Sequence, residues 1–561
     1  VLNYFMQRSL KISLSQFLKN RTLLVIIFII AITLLLSFNN LKDFFLCDDF
    51  VIINHSNSLE KLIESFVDGW KNYFNIYYWS KFNIQSDLYR PLVNLSFFLD
   101  YKLWNLNPFG YHLTNIIIYA LTGFFLYRLT ELIFHSKKIS YITLFFWFIH
   151  PSHIEPLLSI ANRTDSLVGL FEILVLYCFV LAVHADSKNK QSIYWRYLLL
   201  SIGTFLLALL SKETAILFPL SCLFYDLFIN KADYKSAFRR FLPYTILMGA
   251  YMLSRLIIFK GIGNYGSPPS NILGMFKNLI AYIGVSIVGT TSNLIFIRDH
   301  LAILIIGLIL GIYILYSFCK KKPSLNYSMI SWLSMSFLVS LGPALAFISN
   351  RFLYLAVYFL ILLIVSLLQS IHIEKKMLLT LGSVLLIILY SVNWALASLN
   401  FSEASRITYD FLKYLSSQKL LQNDYNLFTI LPDNVSNMPV IFLNGQREMV
   451  NLFLKKDNVY PLLLISSYNQ DVKGLKITKL DSNKLLVEDF DPNESIVFSQ
   501  MSFDKLKEGD SIENEYARFQ INTIKQYKIK SVTVFPKVNS GSQNYLIYYS
   551  NGRFDNFIFN N

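Results

Sequence analysis

Two adjacent carboxylates, Asp48 and Asp49, stand just beyond the first long apolar run of the chain. Adjacent acids beside low-dielectric surroundings are costly unless a cation, a metal or shared protons compensate them. A carboxylate held there is placed to act as general base toward a hydroxyl group; the plainer reading of the dipeptide is a solvated pair that ends an apolar helix. Other polar groupings follow along the chain. Tyr89–Arg90–Pro91–Leu92 leads into Asp100, Asn107–Pro108, Gly110–Tyr111–His112 and Asn115. His150–Pro151–Ser152–His153–Ile154–Glu155 precedes Arg163–Thr164–Asp165; Lys212–Glu213 and Asn350–Arg351–Phe352–Leu353–Tyr354 come later. Alone, each is a weak signal: a lysine at a helix end usually snorkels, and an isolated histidine is usually a satisfied interior residue.

The elements that must carry these residues are membrane spans. Of 561 residues 54% are hydrophobic and only 15% are charged, and the mean hydropathy is +0.44. Such a composition excludes a soluble, a disordered or a fibrous chain. A hydrocarbon core about 30 Å thick needs about 20 apolar residues per helix. Suitable runs lie near 22–38, 113–134, 139–157, 167–185, 197–211, 214–229, 241–259, 300–319, 328–348, 352–371 and 377–395. The first is read as a retained span, since no small-residue cleavage site follows it. A weaker segment, 272–296, is interrupted by Lys277 and loosened by Gly284 and Gly289.

Lysine and arginine gather in cytoplasmic loops. Arg8, Lys11, Lys19 and Arg21 place the N-terminus inside, and Lys137–Lys138, Lys188, Lys190, Arg196, Lys231, Lys235, Arg239 and Arg240 then also fall inside. Lys320–Lys322 and Lys375–Lys376 follow the rule only if 272–296 does not cross. The expectation is therefore a mostly α fold: a polytopic transmembrane bundle of about eleven spans over residues 1–400, in the cytoplasmic (inner) membrane. A first external loop at 40–112 bears the acidic pair, and an extracytoplasmic α+β domain occupies 401–561. Under that topology the exceptional polar residues all meet one face of the membrane. In the C-terminal part, strand-like runs lie at 427–431, 440–443, 485–487, 496–498, 532–535 and 545–549, and 404–422, 446–456 and 513–528 read as helical. The four cysteines have no disulfide or CxxC spacing and read as idle thiols. The net charge of +14 sits largely in inside loops and is no nucleic-acid patch.

Taken in order, the acidic pair, Tyr89–Leu92, Tyr111–His112–Leu113 with Asn115, His150–Glu155, Arg163 with Asp165, Lys212–Glu213 and Arg351–Tyr354 resemble the membrane portion of the eukaryotic transmembrane O-mannosyltransferases that carry tetratricopeptide repeats. The resemblance covers roughly residues 40–400 and implies the C-type (GT-C) glycosyltransferase superfamily, polytopic enzymes with lipid-linked sugar donors. The C-terminal region lacks the helical repeats, so their role is not carried over. The resemblance implies a polyprenyl-phosphate sugar donor, possible as mannose, and a hydroxyl acceptor on protein or glycan. Negative charge then grows on the departing phosphate, and fixed cations at the interface stabilise it; Arg351 and Lys212 are the candidates, with Arg90 third. Asp49, ahead of Asp48, takes the acceptor proton.

His153, Glu155, Arg163 and Asp165 have two readings: substrate binding, or ligation of a divalent cation together with Asp49; and a plain ion-pair network in which Arg163 meets Asp165 or Glu155. His112 and Tyr354 are equally substrate-binding or structural, and Glu213 is expected to pair with or position Lys212. The aromatic loop Trp70–Trp79 reads as an interfacial helix. A transporter or flippase of lipid-linked sugars is the alternative, disfavoured because no matching halves are visible and the polar residues avoid the midplane.

Overall fold

A computed structural model of the chain describes residues 21–67, 88–259, 271–289, 326–346, 349–370 and 376–417. Beyond these it describes 426–432, 446–455, 459–466, 475–481, 484–489, 495–497, 507–513, 517–525, 528–536, 544–550 and 553–559. The Trp70–Trp79 loop, the run at 300–319, Lys320–Lys322 and the strand expected at 440–443 lie outside the described residues.

The chain begins with an apolar helix, α1 (Arg21–Ser37), then α2 (Asp48–Ser56), α3 (Leu59–Val67) and α4 (Pro91–Trp104). The bundle continues through α5 (Pro108–Phe134), α6 (Lys137–Ile149), α7 (Ile154–Leu158), α8 (Arg163–Asp186), α9 (Gln191–Ser211), α10 (Pro219–Phe224) and α11 (Tyr234–Phe259). It closes with α12 (Ile272–Val288), α13 (Tyr327–Leu341), α14 (Leu353–Ser370) and the long α15 (Lys376–Ser417). Among the described residues eight helices are long and apolar enough to cross a membrane. They match the expected spans except 139–157, 214–229 and 300–319. Their outward faces carry large apolar side chains, such as Ile257 at 71% exposure and Leu385 at 67%, as lipid contact requires.

Two expected spans are not continuous helices, and proline is the reason. Pro151 biases His150 toward extended backbone. His150 adopts φ −68°, ψ 126°, so α6 ends at Ile149 and a short 3₁₀ turn, Pro151–His153, leads into α7. In 214–229 a 3₁₀ turn, Glu213–Leu217, precedes Pro219 at the start of α10, and a π-turn, Tyr225–Ile229, follows. Aromatic packing fills the bundle: Tyr119 stacks on Trp147 with ring centroids 4.9 Å apart, and Gly169 lies where an added Cβ would meet the Tyr354 ring at 2.5 Å.

Helix α15 passes the expected boundary at 400 and continues to Ser417, about 63 Å in all at 1.5 Å per residue. Among the described residues the C-terminal region then forms two five-stranded sheets, ordered β10-β9-β1-β2-β5 and β3-β4-β8-β7-β6. In the first, β1 (Asn426–Pro432) runs parallel to β2 (Val459–Ser466) and to β9 (Asn544–Ser550); helix α16 (Gln446–Leu454) lies in the crossover between β1 and β2. The β9 strand pairs antiparallel with β10 (Arg553–Phe559), and β2 with β5 (Ser495–Val497). The second sheet is antiparallel: β3 (Leu475–Asp481), β4 (Lys484–Asp489), β8 (Lys528–Pro536), β7 (Ala517–Lys525) and β6 (Ser511–Glu513). The helix expected over 513–528 is a strand instead. Its residues alternate, with Phe519 and Ile521 buried opposite Val534 and Val532 while Arg518 and Gln520 are exposed, a period of two.

Candidate active site

Five elements meet at one end of the bundle: the N-termini of α2, α5, α8 and α14 and the C-terminus of α9. Asp49 lies in the first turn of α2, buried at 2% exposure. Its Oδ2 accepts the Leu46 amide at 2.7 Å and its Oδ1 accepts the Ala161 amide at 2.7 Å. A carboxylate has about four acceptor sites, so two amides leave it capacity for a proton. Burial pushes its pKa up to about 7 against the two amides; Asp48 pushes the same way and Arg163 opposes. Asp48 is half-buried beside it, with Cys47 Sγ 3.4 Å from its Oδ1.

The turn before α8 joins this carboxylate to a cation. Ala161 binds Asp49, and its neighbour Asn162 accepts Arg351 Nη1 on Oδ1 at 2.6 Å. Arg351 Nε lies 3.9 Å from Asp165 Oδ2, and Lys212 Nζ lies 2.5 Å from Asp165 Oδ1. Lys212 Nζ also sits 4.6 Å from the centre of the Phe352 ring. Burial lowers the Lys212 pKa to about 8, with Asp165 resisting the fall. Glu155 is half-buried and feels the charges of Arg351, Asp165 and Lys212. Asp165, Glu172, Thr214, Ser340, Arg351 and Tyr354 line a small cleft at this end.

Other expected pairings are rearranged. Glu213 does not form its ion pair with Lys212 but with Arg90, through contacts of 2.6 and 3.2 Å, and Arg255 approaches at 3.9 Å. Burial would raise the Glu213 pKa; Arg90, then Arg255 and Lys212, overcome it and hold the group at about 2. Arg163 meets neither Asp165 nor Glu155. It is fully buried and binds Asp100 at 2.6 Å, Asn115 Oδ1 at 2.7 Å and the Tyr111 carbonyl at 2.9 Å, with its guanidinium 4.4 Å from the Phe97 ring centre. That arrangement ties α4, α5 and α8 together. His153 is a packed interior residue: its ring nitrogens face Tyr119 Oη at 3.2 Å and the Tyr354 carbonyl at 3.1 Å. His112 is buried with Nε2 3.1 Å from the Asp43 carbonyl. Tyr354 is buried against Trp147 and His153 and borders the cleft.

For a divalent cation, Asp49 and Asp165 are differently engaged, one by amides and the other by Lys212 and Arg351. Among the described residues no three His, Cys, Asp or Glu side chains group as metal ligands. Sequence reasoning missed Arg255, Glu172, Asn162 and Asp43 as members of this end. Arg255 and Glu172 carried a usable signal, since a charge inside an apolar helix is a site candidate by default. Asn162 and Asp43 carried none.

Residues 91–259 match the family model described as dolichyl-phosphate-mannose-protein mannosyltransferase. The chain is similar to human protein O-mannosyl-transferase TMTC1, 33% identical over 162 residues, covering 28% of this chain and 18% of that one. It is similar to mouse TMTC2, 29% identical over 239 residues, covering 41% and 26%. The matched stretches thus span about a fifth to a quarter of these relatives. Among solved structures it matches the archaeal oligosaccharyltransferase AglB from Archaeoglobus fulgidus, in complex with an inhibitory peptide and a dolichol-phosphate (TM-score 0.43, 13% identity, 82% of this chain and 66% of that chain). It also matches ArnT from Cupriavidus metallidurans bound to undecaprenyl phosphate (TM-score 0.38, 12% identity, 78% and 85%).

Proposed function

We propose that this multi-pass membrane protein is a glycosyltransferase that moves a sugar from a polyprenyl-phosphate donor to a hydroxyl on protein or glycan at the outer face of the membrane. The observation that carries the reading is the turn at Ala161–Asn162, which holds Asp49 by one residue and Arg351 by the next. A buried base and a fixed cation therefore share one scaffold. In the reaction the acceptor oxygen attacks the anomeric carbon and the bond from that carbon to the phosphate oxygen breaks. The hydroxyl proton passes to Asp49, and the polyprenyl phosphate departs with the bonding electrons. Arg351 and Lys212 face the charge that grows on the phosphate, in a site where they are already oriented. Arg90, paired with Glu213, acts on that field at second remove. The dolichyl-phosphate-mannose description of the family model and the O-mannosyl-transferase relatives support mannose as the sugar.

The test is donor turnover with polyprenyl-phosphate mannose. Asp49→Asn, which keeps the shape but not the basicity, should lower transfer by about 10²–10⁴-fold with insertion intact. Full activity of that variant sinks the base assignment. Arg351→Ala should raise the donor KM by about 10–100-fold, and an unchanged KM removes Arg351 from the phosphate.

A further inference from the structure

Helix α15 presents a polar ladder on one face. Tyr390, Trp394, Ser398 and Ser402 recur at every fourth residue, with Ser405 three further on, so they stack along one side of the helix. The lower rungs dock on the bundle: Tyr390 Oη donates to the Ile287 carbonyl at 2.8 Å and Trp394 Nε1 to the Ile149 carbonyl at 2.7 Å. The upper rungs grip the segment between α1 and α2. Ser398 Oγ donates to Asn40 Oδ1 at 2.7 Å, and Asn40 Nδ2 donates to the Ser398 carbonyl at 3.0 Å, to Ser402 Oγ at 3.1 Å and to Asp43 Oδ2 at 2.6 Å. Ser402 Oγ lies 3.1 Å from both Asp43 oxygens, and the Phe44 amide donates to Ser405 Oγ. Phe44 then packs edge-on against Tyr409 of α15 and tilted against Phe453 of α16, with ring centroids 5.4 and 5.3 Å apart.

Immediately after this clamp the chain does something costly. Cys47 sits at φ +41°, a region that non-glycine residues avoid, and Leu46 turns its amide onto Asp49. Such strain persists only where the surroundings over-determine the backbone. On one side those surroundings are Ala161; on the other they are the serines of α15.

We infer that Ser398, Ser402 and Ser405 are positioning residues for Asp49, so that the helix entering the C-terminal region fixes the geometry of the carboxylate. The inference rests on the reading of Asp49 as the base. It makes the C-terminal region a working part of the site through the helix that bears it.

The experiment uses the full chain with Cys178, Cys222 and Cys319 replaced by serine, leaving Cys47 as the one thiol. Ser402→Ala/Ser405→Ala should raise the rate of Cys47 labelling by a maleimide by about tenfold, as a locally opened segment does. Donor turnover with polyprenyl-phosphate mannose should lose kcat by a similar factor at unchanged donor KM. Ser402→Thr/Ser405→Thr, which keeps both hydroxyls, should restore both. Should the double variant fail to insert, Ser402→Ala alone, which leaves the Asn40–Ser398 exchange in place, is read in the same way. A Cys47 rate equal to that of the parent overturns the inference whatever turnover does, as does a faster rate that leaves kcat untouched. An active Asp49→Asn protein in the same assay refutes the base itself, separately from the clamp.

Discussion

At the residue scale, Asp49 is tuned by opposing forces of known origin. Burial favours its protonated form, while the amides of Leu46 and Ala161 favour the anion. The balance near 7 suits a base, since proton transfer is most efficient when the pKa lies near working pH. Below that value the group is protonated and cannot accept a proton, so turnover should rise with pH through about 7 and level off above it. Asp48 is one of the influences that raise Asp49, so Asp48→Asn should move this acid limb to lower pH. Rate profiles of the two proteins check it; coincident limbs would show that Asp48 does not act on the base. Arg163 illustrates the opposite case, a charge whose task is architectural. Arg163→Met strands Asp100 in the interior and should cost about 3–5 kcal/mol, read as a lower thermal midpoint in detergent. Because Asp100 is its main partner, the further change Asp100→Asn should cost less on that background than alone.

At the scale of elements, the apolar helices are legible because lipid demands that each one satisfy its own backbone, and length and hydropathy follow from that. Hydropathy does not distinguish a continuous helix from an apolar run cut by proline, and Pro151 and Pro219 were the overlooked signals in 139–157 and 214–229. The stretch 513–528 reads as helical, whereas Phe519 and Ile521 alternate into a sheet core. The ordered motifs located the candidate site, but not who meets whom in it. Arg163 prefers Asp100 and Glu213 prefers Arg90 because α4 and α9 pack side by side with α8, a tertiary fact with no local signature. Packing also sets the cleft. An alanine at Gly169 on α8 would place its Cβ 2.5 Å from Tyr354 of α14, so the ring must shift, and both residues line the cleft with Asp165 and Arg351. We expect Gly169→Ala to destabilise by about 1–3 kcal/mol and to raise the donor KM. Gly203→Ala on α9, where nothing lies within 4 Å of the new Cβ, should leave both unchanged or add stability. Equal behaviour of the two variants would remove the steric argument.

For the whole molecule, charge and connectivity impose a single parity. One end carries Asp49, Lys212 and Arg351. The other carries an ionic lock in which Arg240 of α11 binds Asp186 at 2.5 Å and the buried Asp226 at 2.8 Å. Lys137, Lys138, Lys188, Lys190 and Arg239 gather at this second end, the one that the positive-inside rule predicts to face the cytoplasm. Helix α11 runs from the lock toward Arg255, which faces Glu213 at the site end. Helix α13 starts near the lock, where Trp332 meets Tyr225 at 5.5 Å, and finishes at the cleft with Ser340. The chain leaves α11 at one end and enters α13 at the other, so we expect an odd number of crossings between Phe259 and Tyr327. Crossings at both 272–296 and 300–319 would make an even number. The contact of Asn40 with Ser398 repeats the constraint over the full bundle: the exit of α1 and the upper half of α15 share one side. A reporter fused after Lys322 should therefore report the same compartment as one fused after Lys190, and the opposite compartment from one at the C-terminus. If the Lys322 reporter instead agrees with the C-terminal one, the parity fails, and with it the placement of the C-terminal region on the side of Asp49.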